Sequence, residues 1–250
     1  MKKFSVIIPA FNEERLIKRA ILSAIKQSIP RKDYEIIVVD NNSSDKTGEI
    51  AKEAGADKVI LEKKKGTNFA RQTGVNYSSG KIIAFLDADC EAPPNWLSHI
   101  EKNLSKKGVV ATSGPYDHDF TGIKGIIDHI YTHAIMPMLP SILYLFFWEK
   151  AGVIQGGNFA LPRWALDAIG GLPPLAFYGD DAATAMLLAR NIGKVFFDKT
   201  LMTKSSPRRY NGKLLGPALK YALEYFKVYF SKEYTKKNFD ATYTEYSDHL

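Results

Sequence analysis

The 250 residues contain a single cysteine, Cys90. No intramolecular disulfide and no cysteine-built metal cluster can form, and a reducing, cytoplasmic setting is expected. A signal-like start is missing: Met1-Lys2-Lys3 leads into an apolar run at 4–9 that is too short for a signal core and lacks a small-residue cleavage site. Long apolar runs are missing too. The longest uncharged stretch, 134–148, carries Pro137 and Pro140 and falls short of the ~20 apolar residues a spanning helix needs, so no transmembrane helix is expected. With 18 glycines, 12 prolines and 24% charged residues, the chain has neither the bias of a disordered segment nor that of a fibrous repeat. A 45% hydrophobic content over this length suffices for one large core.

Charge is present but unevenly placed. The net charge is +7, yet residues 199–237 alone hold ten Lys or Arg (199, 204, 208, 209, 213, 220, 227, 232, 236, 237) against Glu224 and Glu233, a local excess of +8. The remainder is close to neutral. This argues against a surface that coats nucleic acid and leaves two readings, a basic site facing phosphate or anionic lipid, or a solvated basic helix.

The first half alternates short β-branched runs with helix-period segments, the pattern of a mostly parallel sheet covered by helices. Strands are expected at 4–9, 35–40, 58–61, 81–86 and 109–113, and helices at 13–27, 44–54 and 67–77. The second half is less regular, with an aromatic apolar stretch at 125–148, strands at 155–162 and 195–198, and a helix at 180–190. Leu215, Leu219, Ala222, Phe226 and Tyr229 mark one face of a last helix. The expected division is a catalytic domain at 1–213, with a nucleotide-binding half at 1–113 and an acceptor-side half at 114–213, then a basic, aromatic helix and tail at 214–250. In open α/β sheets ligands lie at the carboxyl ends of the strands, so chemistry is sought there.

The first strand ends in Pro9-Ala10-Phe11-Asn12-Glu13-Glu14, either a ligand-edge turn or a helix start with acidic residues favourable to its dipole. The second ends at Asp40, a carboxylate able to accept from a base or ribose, and the Asn/Ser run after it can cap the next helix. Lys65-Gly66 makes a turn ahead of Arg71. The fourth runs into Asp87-Ala88-Asp89, and alternation in an extended chain sends both carboxylates to one side. Two like charges at a sheet mouth are costly unless solvated or neutralised, so a hard cation such as Mn²⁺ or Mg²⁺ bridging a diphosphate is the economical occupant. Gly156 and Gly157 allow close backbone approach to a sugar, or mark a bulge. Asp180 can cap the helix it opens, while Asp181, one residue in, can instead project into the site as a general base.

In order along the chain, Val-Ile-Ile-Pro-Ala-Phe-Asn-Glu-Glu, Ile-Val-Val-Asp-Asn-Asn-Ser-Ser-Asp, Lys-Gly-Thr-Asn-Phe-Ala-Arg, Phe-Leu-Asp-Ala-Asp, Gly-Gly-Asn-Phe-Ala and Gly-Asp-Asp resemble the family 2 glycosyltransferases of GT-A fold. The resemblance runs over about 4–190. It implies an inverting transfer of a sugar from a nucleoside diphosphate sugar, UDP- or GDP-linked, onto a glycan or lipid-linked acceptor. Pro9, Ala10, Glu13, Asp40 and Arg71 would line the nucleotide pocket, Asp87 would lie near the ribose and diphosphate, and Asp89 on the metal with Asp87 beside it. Asp181 inherits the role of catalytic base, in a pair whose first member is here the shorter Asp180. Gln-x-x-Arg-Trp, found in processive synthases, is absent, which argues for one sugar per encounter. Lys204 to Arg209 replaces a histidine-containing motif, so a third metal ligand is unassigned, and Arg208 and Arg209 are candidate phosphate contacts.

A sugar-phosphate nucleotidyltransferase would need a glycine-rich loop after the first strand that is missing here. A binding protein without catalysis would be expected to lack a carboxylate at 87, 89 or 181. The aromatic stretch leaves two readings: a helix packed in the core or at a dimer interface, or peripheral contact with an anionic membrane through Leu143, Tyr144, Phe146, Phe147 and Trp148 together with the basic C-terminal segment. The second would place the protein at the inner face of the cell membrane.

Overall fold

Uninterrupted β-branched runs make strands that are covered on both faces. In the computed structural model, which describes residues 2–118, 120–148, 150–174, 179–210 and 215–231, β1 (Phe4–Ala10) is buried throughout and β2 (Tyr34–Asp40) up to its last residue. They are joined by β3 (Lys58–Leu61), β4 (Ile82–Leu86), β6 (Val109–Ser113), β8 (Asn158–Pro162) and β9 (Lys194–Phe197) in one sheet of order β3-β2-β1-β4-β8-β6-β9. Every pairing is parallel except those of β8, which runs antiparallel to both β4 and β6. A second, three-stranded sheet sets β10 (Thr203–Ser205) between β5 (Cys90–Glu91) and β7 (Tyr116–Asp117).

Alternation along β1 divides the core. Phe4, Val6 and Ile8 face a layer containing α1 (Ile17–Ile25), α2 (Thr47–Glu53) and α4 (Trp96–Leu104). Ile7 faces the opposite layer, built from α3 (Thr67–Asn76), α7 (Arg163–Ala168) and α8 (Asp180–Asn191). The result is the helix–sheet–helix architecture expected from the sequence.

Two helices begin later than their periodicity suggests. The carbonyl of Glu13 accepts from both Leu16 and Ile17, so residues 13–16 form a turn before α1, and no acidic residue stands in its first turn. The loop before α2 is occupied elsewhere: Ser44 N–H donates to Asn12 Oδ1 at 2.8 Å, and Asp45 Oδ1 accepts from Thr47 N–H at 3.0 Å.

The largest departure lies in the aromatic stretch. Helices α5 (Gly122–Ile130) and α6 (Met136–Phe147) join through a π-helical turn, Tyr131–Ile135, into one 26-residue helix, about 39 Å long at the usual rise. Pro137 lies in the first turn of α6, beside the π turn, and Pro140 is carried inside it. The prolines therefore do not divide the stretch, and by length and composition this helix could cross a membrane, correcting the expectation above. It is nevertheless tied to the domain along its length. Asp128 holds His118, and Met136 and Leu143 are buried with Ala182, Met186, Tyr225 and Val228 of α8 and α9 (Leu215–Phe230). Of the two readings of this stretch, Leu143 follows the core one, while Tyr144, Leu145, Phe146, Phe147 and Trp148 are exposed. The lysines at 213, 232, 236 and 237 lie outside the described residues.

Candidate active site

The loops after β1 and β2 are zipped together by polar contacts. Asn12, at a φ of 54°, accepts from Ser44 and donates its N–H to Ser43 Oγ at 2.9 Å, while Glu13 N–H donates to Thr47 Oγ1 at 2.7 Å. Pro9 and Ala10 are buried at this edge, and Asn41 N–H donates to the Ala10 carbonyl at 2.8 Å. Glu13, now facing inward, is 5% exposed and forms an ion pair with Arg208. Asp40 Oδ1 accepts from Ser43 N–H at 2.9 Å, and its other oxygen lies 2.9 Å from where a Cβ on Gly48 would be. Asp40 also lines a cavity of about 300 Å³ with Gly48, Lys52 and Leu61.

At the end of β4 the charges converge. Arg71, 4% exposed on α3, donates to Asp87 at 3.0 Å and to Asp180 at 2.8 Å. Burial disfavours the guanidinium charge, but Asp87, Asp180 and Asp181 outweigh it and raise its proton affinity. The Nε of Arg71 has no partner among the described residues. Asp180 therefore serves as an anchor for Arg71 and makes no side-chain cap on α8, whose N-cap is Gly179.

Gly156 and Gly157 form the turn into β8, which starts at Asn158 and not at 155. A Cβ on Gly156 would stand 2.8 Å from Arg71 and 2.9 Å from Asp181, and one on Gly157 only 2.3 Å from Asp87 Cγ. These glycines let a backbone approach three charged side chains at once. Gly156 N–H donates to Asp181 Oδ2 at 3.0 Å. Burial, and then the adjacent Asp180, push the Asp181 carboxyl well above the usual carboxylate range.

Two participants were given no role from the sequence: Tyr116 carried no signal there, and Asn158 stood only as part of the Gly-Gly-Asn-Phe-Ala motif. Tyr116, on the two-residue β7, accepts a 2.6 Å hydrogen bond from Gly157 N–H, and burial followed by the Asp87 charge keeps its phenol protonated. Asn158 accepts from Trp96 Nε1 at 2.8 Å and donates to the carbonyls of Pro115 and Leu201, fixing the turn from behind. The small sheet brings the late basic segment in: β10 pairs with β5, Ser206 N–H reaches the Asp89 carbonyl at 3.1 Å, and Arg208 follows. Arg71, Asp87, Gly157, Asp180 and Asp181 are thus one cluster, with Asp89 and the Glu13–Arg208 pair at its strand-end side. Asp40 bonds within its own loop.

The family model described as glycosyl transferase family 2 matches residues 5–170. The chain belongs to this family. The chain is 30% identical over 182 residues to glycosyltransferase AglE of Haloferax volcanii, covering 71% of this chain and 58% of that protein. It is 40% identical over 112 residues to the GalNAc(5)-diNAcBac-PP-undecaprenol beta-1,3-glucosyltransferase of Campylobacter jejuni, covering 42% of this chain and 36% of the relative. It thus spans little more than half the length, or less, of these curated relatives. Among solved structures, a mannosyltransferase from Pyrobaculum calidifontis, in complex with GDP-Man and Mn²⁺, superposes with a TM-score of 0.72 at 22% identity, over 90% of this chain and 63% of that one. That likeness establishes the GT-A fold.

The family 2 chain offers a divalent cation the two carboxylates Asp87 and Asp89, both nearly buried and two residues apart. Among the described residues no cluster of three or more His, Cys, Asp or Glu is suited to a metal. One or two carboxylates, with phosphate oxygens and water completing the shell, is how Mg²⁺-type sites are commonly built, so the donor set fits a hard cation that arrives with a diphosphate.

Proposed function

We propose that the chain transfers a single sugar from a UDP- or GDP-linked donor to a hydroxyl acceptor, with inversion at the anomeric carbon. The observation that carries this reading is the meeting of Asp87, Arg71 and Asp181 around the Gly156-Gly157 turn. Asp87 and Asp89 would hold a Mn²⁺ or Mg²⁺ ion, which would supply positive charge to the departing diphosphate. Arg71 and Arg208 add guanidinium groups on the same side. Asp181, with its raised proton affinity, is suited to take the acceptor hydroxyl's proton as that oxygen attacks. No enzyme nucleophile is required. Incubation with a panel of nucleotide sugars and Mn²⁺ tests this: one donor should be turned over, and Asp89→Ala should remove the metal dependence together with the activity. Undiminished turnover without any divalent ion refutes it.

The acceptor in this reading is lipid-linked, as in the Campylobacter relative. The long helix exposes Ile123, Ile126, Ile127, Met138, Leu145, Phe146 and Trp148. Lys124, Lys150 and Lys227 are exposed on the same helices or beside them. An apolar aromatic surface edged by lysine matches an anionic membrane interface. Because the helix is tied down at Asp128, Met136 and Leu143, it would lie in the interface plane and not cross the bilayer.

A further inference from the structure

Beside the catalytic cluster lies a second cavity of about 500 Å³, between β7 and the start of the long helix. Its volume is within the range of small-molecule sites. Tyr116 is the wall the two share: its ring lines the cavity and its hydroxyl accepts from Gly157, whose neighbour is Asp87. The floor is rigid, since the buried His118 Nδ1 lies 3.1 Å from both oxygens of buried Asp128, and Thr132 Oγ1 donates to the Asp128 carbonyl at 2.8 Å.

The lining is mixed. Tyr116 and Phe120 supply aromatic rings, Ile126 and Met202 apolar surface, and Asp117 and His133 polar groups. This suits a sugar, whose C–H face stacks on rings while its hydroxyls bond carboxylate and imidazole. It does not suit a bare phosphate. Asp117 and Asp128 would repel one, and burial, followed by the adjacent His129, lowers the proton affinity of His133 and leaves it a neutral imidazole at neutral pH. Lys199 stands near His133 but does not line the cavity. The outer wall is α5, whose Ile123 and Ile127 belong to the exposed apolar surface.

We propose that this cavity is the acceptor pocket, and that it takes the terminal sugar of a saccharide carried on a lipid, in preference to a lipid phosphate, with Asp117 and His133 reading its hydroxyls. This rests on the reading of the chain as a sugar transferase. The test offers the enzyme, with its donor and Mn²⁺, a panel of octyl glycosides (glucoside, galactoside, N-acetylglucosaminide and N-acetylgalactosaminide) and, separately, undecaprenyl phosphate. Transfer to at least one octyl glycoside and not to undecaprenyl phosphate is expected. Asp117→Ala should raise KM for that glycoside about tenfold or more, the value of a hydrogen bond to a charged group. Ile126→Trp, which adds an indole at the cavity wall, should abolish transfer, and Ile126→Leu should retain it. In all three variants the affinity for the Mn²⁺–nucleotide complex should be unchanged, which also reports that they are folded. Transfer to undecaprenyl phosphate, an unaffected Ile126→Trp enzyme, or normal donor binding with no glycoside modified overturns the proposal. Failure to bind any nucleotide sugar overturns the transferase reading instead.

Discussion

Adding one methyl group at Gly157 tests the geometry of the site more sharply than removing a charge. A Cβ there would lie 2.3 Å from Asp87 Cγ and 2.5 Å from its Oδ2, whereas ordinary contact begins near 3.4 Å, so roughly 1 Å of separation must be found. Asp87 cannot retreat freely, because Arg71 holds it at 3.0 Å and its own N–H is bonded to the Gly157 carbonyl at 3.3 Å. The strain falls on the carboxylate assigned to the diphosphate and metal. A displacement of about 1 Å at a reacting centre costs on the order of 10²-fold, and Gly157→Ala should lower kcat/KM by about that factor and weaken Mn²⁺ dependence. Gly156→Ala is the internal comparison. Its Cβ would stand 2.8–2.9 Å from the flexible ends of Arg71 and Asp181, requiring roughly half the shift, and about a tenfold loss is expected. Steady-state kinetics across a Mn²⁺ titration measures both. Wild-type kcat/KM and Mn²⁺ response in Gly157→Ala would refute the assignment of Asp87 to the site.

Asp181→Asn should keep donor affinity and lose roughly two or more orders of magnitude in turnover, and the opposite pattern in binding and single-turnover assays would make it a binding residue. Asp181 must be ionised to act, and its raised proton affinity means activity falls as pH drops through that raised value. Asp180→Asn removes the neighbouring negative charge and should move the acidic limb of the kcat/KM profile to lower pH, and an unmoved limb would break the link between them. Burial alone would raise the Glu35 carboxyl, but hydrogen bonds from Ser79, Ser5 and Lys58 bring it down to about 2. Its stabilisation is therefore full above the ordinary carboxylate value and lost as pH falls toward 2, so thermal melts should show the wild type losing its margin over Glu35→Gln across that window. Equal margins at pH 6 and pH 3 would contradict this. The protein should co-sediment with phosphatidylglycerol vesicles at low salt, at about 1 kcal/mol for each lysine near the surface, and release on adding salt. Phe146→Ser with Trp148→Ser should abolish this, and binding that ignores both changes would point to another surface.

Strands were the most legible elements, because their β-branched runs have sharp ends: 58–61, at the sheet edge, and 109–113, buried throughout, are strands with those bounds. Helix starts were less so. Residues 12–14 and 43–45 have the composition of caps, but they are spent bonding one loop to the other, a pairing between segments some thirty residues apart that no local rule contains. The prolines at 137 and 140 read as breaks because the π turn ahead of them, which α6 follows without interruption, leaves no compositional mark. Two-residue strands have no period to detect, so β5 and β7, and with them Tyr116 and the acceptor-side cavity, were invisible. Of the cluster, the Asp87-Ala88-Asp89 spacing and the Gly-Gly turn were legible as chemistry. The bond from Arg71 to Asp180, 109 positions away, required the fold.

The antiparallel strand β8 has a consequence for how such enzymes can be recombined. It lies between β4 and β6, so a cut near residue 113 would not separate a donor module from an acceptor module; it would strip an interior strand from the sheet. The chain offers a different seam. Gln155 N–H donates to Ser113 Oγ at 2.8 Å, so the excursion containing the long helix leaves the sheet and returns to it at nearly the same point. Residues 114–154 are therefore an excursion with adjacent ends, and its partners outside the segment include β10, α8 and α9. Exchanging that loop between relatives would carry the apolar helix and all of the second cavity's lining except Met202, while leaving Asp87, Arg71, Gly157 and Asp181 in place.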